Sequence, residues 1–210
     1  MKQISDINQL DLNGLYSYAD YLLWQFKERV ELIKGKIFKM SPAPTEQHQK
    51  ISIKMIKSLL FFLEGHPCSL YHAPFDVRLP AKNHSEEKEI LTVVQPDIVV
   101  ICDQSKIDEK GCLGAPDIVF EILSKSSLQK DLHEKYELYE SAGVKEYWIA
   151  DPSAFTIQVN ILNEEGKYIP GRLLTRGDIA RSCVLEGLEI DLNDIFPLIV
   201  EEPVMEYKRL

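Results

Sequence analysis

Asp97, in the run QPDIVVIC, and Glu121, in GAPDIVFEILSKSS, are acids set among apolar β-forming residues. An unpaired carboxylate in such a place costs several kcal/mol or gives up its charge, so each calls for a cation. Side chains alternate along a strand, which puts Ile118, Phe120 and Ile122 on one face and Val119, Glu121 and Leu123 on the other. The midpoint between Asp97 and Glu121 is Glu109, inside the polar stretch DQSKIDEKG. An antiparallel pair folded about that stretch sets the two acids opposite each other, with Cβ atoms about 4.5–5.5 Å apart. Carboxylates that close repel unless a divalent metal lies between them, and Mg²⁺ is commonly held by one or two carboxylates plus water and phosphate oxygens. Asp117 is a poorer partner, four residues and about 13 Å from Glu121 along one face. In the helix expected next, Leu128, Leu132, Tyr139 and Ala142 form an apolar stripe whose i+7 position is Lys135. That lysine either snorkels to water or points back at the two acids.

Other candidates are weaker. His48 shares a helix face with Ile51, Met55 and Leu59 and is expected near the site. Asp76, between Phe75 and Val77, is either a supporting acid on the metal side or an exposed strand residue. Lys50, Lys54 and Lys57 form a basic stripe that is either a solvated face or a nucleic-acid contact. Trp24 and Trp148 are expected in the core. Taken singly, each acid has an ordinary reading, an ion pair for Glu121 and turn chemistry for Pro96-Asp97. It is the conjunction of two opposed acids with a lysine on the next helix that suggests a site. No phosphate-binding glycine loop, zinc-protease helix or nucleophile elbow occurs.

The elements that must position these residues are readable in outline. NGLYSYADYLLWQF suggests a short helix capped by Asn13, and RVELIKGKIFKM a hairpin about Lys34-Gly35. Residues 46–64 have the helical period; SLYHAPFDVRL, VVQPDIVVIC, APDIVFEIL and KEYWIA read as strands. PAKNHSEEKEI reads as a mobile polar loop. Residues 128–142 read as a helix closed by Gly143, and the chain beyond Pro152 as β-hairpins. The expected fold class is α/β (α+β): a core over about 45–151 with a mixed sheet flanked by helices. A helix and hairpin at 14–40 and a β-rich extension at 153–200 complete one domain over 1–210.

With 210 residues, 45% hydrophobic and 27% charged, the chain is long enough for such a core and ordinary for a soluble protein. No apolar run is long enough to span a membrane, and the first residues show no secretory signal. Cys68, Cys102, Cys112 and Cys183 form no CxxC pair, so reduced thiols and a cytoplasmic location are the default expectation. The net charge of −9 argues against a broad static grip on nucleic acid but is compatible with an enzyme that meets it through a local basic patch.

The chain resembles the Uma-type restriction endonucleases, formerly a domain of unknown function, of the PD-(D/E)xK nuclease superfamily. The resemblance is carried by RVELIKGKIFKMSPAPTEQH (29–48), FDVRL (75–79), QPDIVVI (95–101) and GAPDIVFEILSKSS (114–127). It continues through DLHEKYELYESAGVKEYWIADP (131–152) and LEGLEIDLNDIF (185–196). It implies a restriction-endonuclease-like fold and a Mg²⁺- or Mn²⁺-dependent phosphodiesterase site, with double-stranded DNA as the expected partner and a homodimer admitted. Asp97 matches the family's PD acid and Glu121 its (D/E) acid, the two metal ligands. The superfamily's ExK spacing would place lysine at 123, where this chain has Leu123; a lysine moved to the next helix matches Lys135. The contrasting reading is a nuclease fold without catalysis, serving as a nucleic-acid-binding or protein-interaction module.

Overall fold

The computed structural model describes residues 3–40, 43–81, 86–124 and 128–196. A short 3-10 turn (Ile7–Gln9) precedes α1 (Tyr18–Tyr21). The cap of α1 is Ser17, not Asn13: Ser17 and Asp20 satisfy each other's backbone N–H groups in a capping box. β1 (Val30–Ile33) and β2 (Lys36–Lys39) form the expected hairpin, and its turn places both Lys34 and Gly35 at positive φ. α2 (Glu46–Leu63) comes next, starting at Thr45, whose side chain accepts from the His48 N–H.

SLYHAPFDVRL proves to be two strands, β3 (Ser69–His72) and β4 (Val77–Arg78), and VVQPDIVVIC likewise splits into β5 (Val93–Val94) and β6 (Ile98–Ile101). Pro74 and Pro96, which can donate no ladder hydrogen bond, mark the two breaks. The polar stretch after β6 carries a small hairpin, β7 (Ile107–Asp108) and β8 (Gly111–Leu113). Gly111 is required there, because a Cβ would lie 2.2 Å from the Asp76 carbonyl oxygen. Next come β9 (Ile118–Ile122), a π-helical stretch (Lys130–Glu134) running into α3 (Lys135–Ala142), and β10 (Glu146–Asp151). β11 (Thr156–Leu162), β12 (Tyr168–Pro170), β13 (Ile179–Arg181), β14 (Glu189–Asp191) and α4 (Leu192–Ile195) complete the order. Residues 82–85 of the polar loop, and the end of the C-terminal extension from 197, lie outside the described residues.

The strands form two six-stranded sheets, β2-β1-β5-β4-β8-β7 and β12-β11-β10-β9-β6-β3, plus the β13-β14 pair. The second sheet is mixed: β9 runs antiparallel to β6 and parallel to β10. One of its faces packs Ile98, Phe120, Ile122 and Trp148 against Ile51, Met55 and Leu59 of α2. The other packs Val99, Val119, Leu123 and Ile149 with Leu138 and Tyr139 of α3. The architecture is thus mixed α/β with helices flanking a mixed sheet. The segments 73–76 and 95–97 are where the chain passes from one large sheet to the other, and the candidate site lies there.

The reduced-thiol expectation is corrected at one pair. Cys68 and Cys102 continue the β3–β6 register beyond Ser69↔Ile101 and form a disulfide. That proximity arises from strand pairing across 34 residues, which local spacing does not display. Cys112 and Cys183 are free. No helix among the described residues is long and apolar enough to cross a membrane.

Candidate metal and phosphate site

β6 and β9 pair with Ile98 opposite Phe120, so the register carried one step further sets Asp97 opposite Glu121. Glu121 shares the parity of Val119 and the sheet face that α3 covers, whereas Asp97, one residue before β6, meets His48 of α2. Glu121 is buried, 4% exposed. Its Oε1 accepts from Lys135 Nζ at 2.6 Å and from the Tyr139 hydroxyl at 2.8 Å. Asp97 Oδ2 accepts from the Ile122 backbone N–H at 2.7 Å and lies 3.2 Å from His48 Nε2. Burial alone would lower the imidazole pKa of His48, but the Asp97 carboxylate more than offsets this and raises it.

Lys135 is buried as the sequence suggests, but the stripe that predicted it is half wrong. Leu128 and Leu132 are 43% and 39% exposed, whereas Asp131 is buried with Lys135, Leu138 and Tyr139. The π-helical stretch is the reason: its wider turn shifts the phase of the residues before Lys135. Lys135 Nζ lies 2.6 Å from Glu121, 3.0 Å from Glu31 and 3.6 Å from Asp131. Burial would lower its pKa, but Glu121 and Glu31 outweigh that and raise it well above the ordinary value, so it stays an ammonium.

Glu31 is the principal residue that the sequence reading missed. It is fully buried in β1, 0% exposed, with one oxygen shared by Lys135 and the Gln95 backbone N–H and the other accepting from Lys130 Nζ at 2.6 Å. Burial pushes its carboxyl up, but Lys135 and Lys130 together hold it at about 2. Glu121 goes the other way: burial, with Asp131, Asp97 and Glu31 close by, raises it to about 8 despite Lys135. Glu31 thus takes up the charge of both lysines, and Glu121 is the acid left with a proton to give up. Glu31→Gln keeps the shape and removes the charge. It is expected to cost about 3 kcal/mol near neutral pH, with the difference lost as pH falls from about 4.5 to about 2, where the parent's carboxyl also protonates. Denaturant titrations at pH 7 and pH 3 check it.

A cleft of about 900 Å³ opens onto these groups. His48, Gln49 and Ser52 of α2 line it, and its rim carries Arg29, Lys39 and Lys130. Lys50, Lys54 and Lys57 do not line it: Lys50 pairs with Glu46, and Lys54 donates to the Ile195 carbonyl of α4. Asp76 is likewise absent from the lining; it accepts from Gln95 and Tyr21 in the neighbouring crossover, and its burial raises its pKa.

The donor set fits a hard divalent cation. Among the described residues no protein donor reaches the second carboxylate oxygen of Asp97 or of Glu121, and both residues line the cleft. Glu31, Glu121 and Asp131 surround Lys135, Lys130 pairs with Glu31, and Asp97 faces His48. Among the described residues no group of three or more His, Cys, Asp or Glu side chains is arranged to hold a metal.

A family model, Uma2, with the description "Putative restriction endonuclease", matches residues 18–193. The chain belongs to the Uma2 family. The match takes in every element from α1 to β14, and with it Glu31, Asp97, Glu121 and Lys135. The "Uncharacterized protein slr1290" of Synechocystis is 22% identical over 157 residues, 73% of this chain and 77% of that one. A solved structure described as "a putative nuclease belonging to DUF820", from Anabaena variabilis, superposes with a TM-score of 0.64 at 20% identity, covering 86% of this chain and 97% of that one. At that identity the superposition establishes the shared fold. The mixed α/β architecture of this Uma2 chain is that of its structural relative.

Proposed function

We infer that this Uma2 chain is a divalent-metal-dependent endonuclease that hydrolyses phosphodiester bonds of nucleic acid, with double-stranded DNA the proposed substrate and Mg²⁺ or Mn²⁺ the proposed cofactor. The observation that carries the reading is the register of β6 and β9, which sets Asp97 and Glu121 opposite each other, with Lys135 against Glu121, at the floor of a cleft with a basic rim. Bound between Asp97 and Glu121, the metal would supply Lewis acidity and a more acidic water. The remaining roles belong to the chain. Asp97 is oriented by the Ile122 N–H and His48, so its free oxygen has a fixed direction. Lys135, held as an ammonium, stabilises the charge that grows on phosphate oxygens and orients the attacking water. Glu121, whose carboxyl burial raises to about 8, would ionise to act as a ligand. Arg29 and Lys39 offset at the cleft the repulsion that a chain of net charge −9 presents to a polyanion. A cytoplasmic setting and one domain over 1–210 go with this reading.

Supercoiled plasmid incubated with the pure protein is expected to be nicked or linearised with Mg²⁺ or Mn²⁺ and left intact in EDTA, and Asp97→Ala is expected to abolish the cutting. Intact plasmid in every metal lane would remove the nuclease reading. The contrasting reading, a non-catalytic binding or interaction module, draws on the net charge of −9 and on Glu121's close pairing with Lys135. Calorimetric titration with Mg²⁺ separates the two, since only the first requires heat of binding that Asp97→Ala removes.

A further inference from the structure

The rim of the cleft holds one cation that is more tightly fixed than its exposure requires. Arg29 is exposed, yet its Nε and Nη2 both donate to the Gln95 side-chain oxygen, at 3.2 and 2.7 Å. Gln95 is fixed in turn: its Nε2 donates to Asp76 Oδ1 at 2.8 Å and to the Tyr21 hydroxyl at 3.3 Å, and its backbone N–H donates to Glu31. Only one orientation of the Gln95 amide serves this network, because a flip would set NH₂ against the guanidinium and oxygen against the Asp76 carboxylate. The chain guanidinium–amide–carboxylate thus aims Arg29 without neutralising it. Among the described residues no carboxylate lies within 4 Å of the guanidinium. Nη1 and one hydrogen of Nη2 are left to donate, and the side chain lines the cleft that holds Asp97, two residues along from Gln95.

A surface arginine needed only for solubility has no use for such a support. A glutamate at 95 would cancel the charge of Arg29 and set a second oxygen against the Asp76 carboxylate. Glutamine keeps both orientation and charge, as recognition of an anion by a planar donor pair requires.

We propose that Arg29, aimed by Gln95, forms a phosphate subsite of the cleft that takes a non-scissile backbone phosphate of the nucleic-acid strand. Asp76 and Tyr21 are positioning residues in this arrangement, acting through Gln95. The proposal rests on the nuclease reading for its ligand and adds the group that sets the strand's register over Asp97 and Glu121.

The test is fluorescence anisotropy of a labelled DNA duplex in EDTA, over a series of salt concentrations, beside plasmid cleavage with Mg²⁺. Arg29→Gln is expected to weaken binding roughly tenfold and to reduce the slope of log K against log salt by about one, the loss of one phosphate contact. Gln95→Glu should reproduce that loss with Arg29 still present, because the new carboxylate neutralises the guanidinium. Arg29→Lys should keep the salt slope and lose part of the affinity. In cleavage, both Arg29→Gln and Gln95→Glu should raise KM more than they lower kcat. Melting temperatures near the parent's in Arg29→Gln and Arg29→Lys would show that folding is not what changed; Gln95→Glu, whose second oxygen faces Asp76, is expected to melt below them. If the parent binds and cuts while Arg29→Gln and Gln95→Glu match it in affinity and salt slope, the subsite is overturned and the nuclease reading stands. If the parent neither binds nor cuts, both fall.

Discussion

Replacing Lys135 with methionine is expected to abolish metal-dependent cleavage and to lower the stability of the folded chain by about 3–5 kcal/mol, the cost of stranding buried charge by deleting its partner. Methionine fills similar volume, so the loss is electrostatic rather than a cavity. Lys135 is the group against which three carboxyls are packed, at 2.6, 3.0 and 3.6 Å. Without it, Glu121 can escape by staying protonated, because its carboxyl is already raised to about 8. Glu31 has no such escape near neutral pH: it is held at about 2 by two lysines and would keep only Lys130. The pH dependence comes from that direction. A depressed carboxyl contributes stability above its ordinary value of 4.5, and the contribution fades as pH falls towards 2. The gap between parent and Lys135→Met should therefore be fully open above about pH 4.5 and should close as pH falls towards about 2. Urea titrations across that range measure it. A variant within about 1 kcal/mol of the parent at pH 7 would mean that Lys135 is not the ion on which the buried cluster depends.

Parts of this arrangement were legible in the sequence for identifiable reasons. The Asp97–Glu121 register could be read because a single connection joins the two strands and its midpoint fixes the pairing. Lys135 was found through helical periodicity, although Leu128 and Leu132 face water and Asp131 takes their place. A π-helical stretch changes the phase of a stripe without changing its composition, so the period alone could not show it. Glu31 was not singled out in RVELIKGKIFKM, which was read only for its hairpin turn. All four residues of β1 are buried, and the signal that flagged Glu121, an acid inside an apolar run, was present in VELI as well. The split of SLYHAPFDVRL between two sheets depends on which neighbours the backbone finds, and only Pro74 hinted at it. Asn13 lost the cap to Ser17 because the reciprocal partner, Asp20, stands three residues after Ser17. The Arg29–Gln95–Asp76 chain joins three separate segments, none of which carries a local pattern for it.

Glu121→Gln is expected to have the opposite effect on stability to Lys135→Met while sharing its effect on activity. Glutamine keeps the shape of Glu121 and an oxygen that can still accept from Lys135 and Tyr139. Lys135 retains Glu31 and Asp131 as counter-charges. What is lost is a carboxyl that burial and three neighbouring acids raise to about 8. For a raised carboxyl, deprotonation costs stability, so the parent without metal is penalised progressively as pH climbs from about 4.5 through about 8. Glutamine carries no such penalty. Without metal, the variant should therefore melt at or above the parent's temperature at pH 7, and further above it at pH 9. The order should reverse with Mg²⁺. A cation held by Asp97 and ionised Glu121 stabilises the parent by mass action, about 2.7 kcal/mol at a hundred times its Kd, and the variant far less. Binding should also release the Glu121 proton, so the affinity of the parent for Mg²⁺ should rise with pH up to about 8. Thermal melts of both proteins in EDTA and in millimolar Mg²⁺, at pH 7 and pH 9, contain every term. A strong loss of stability in metal-free Glu121→Gln would make Glu121 the structural counter-ion of Lys135. The acid buried in APDIVFEIL would then serve the fold rather than a metal.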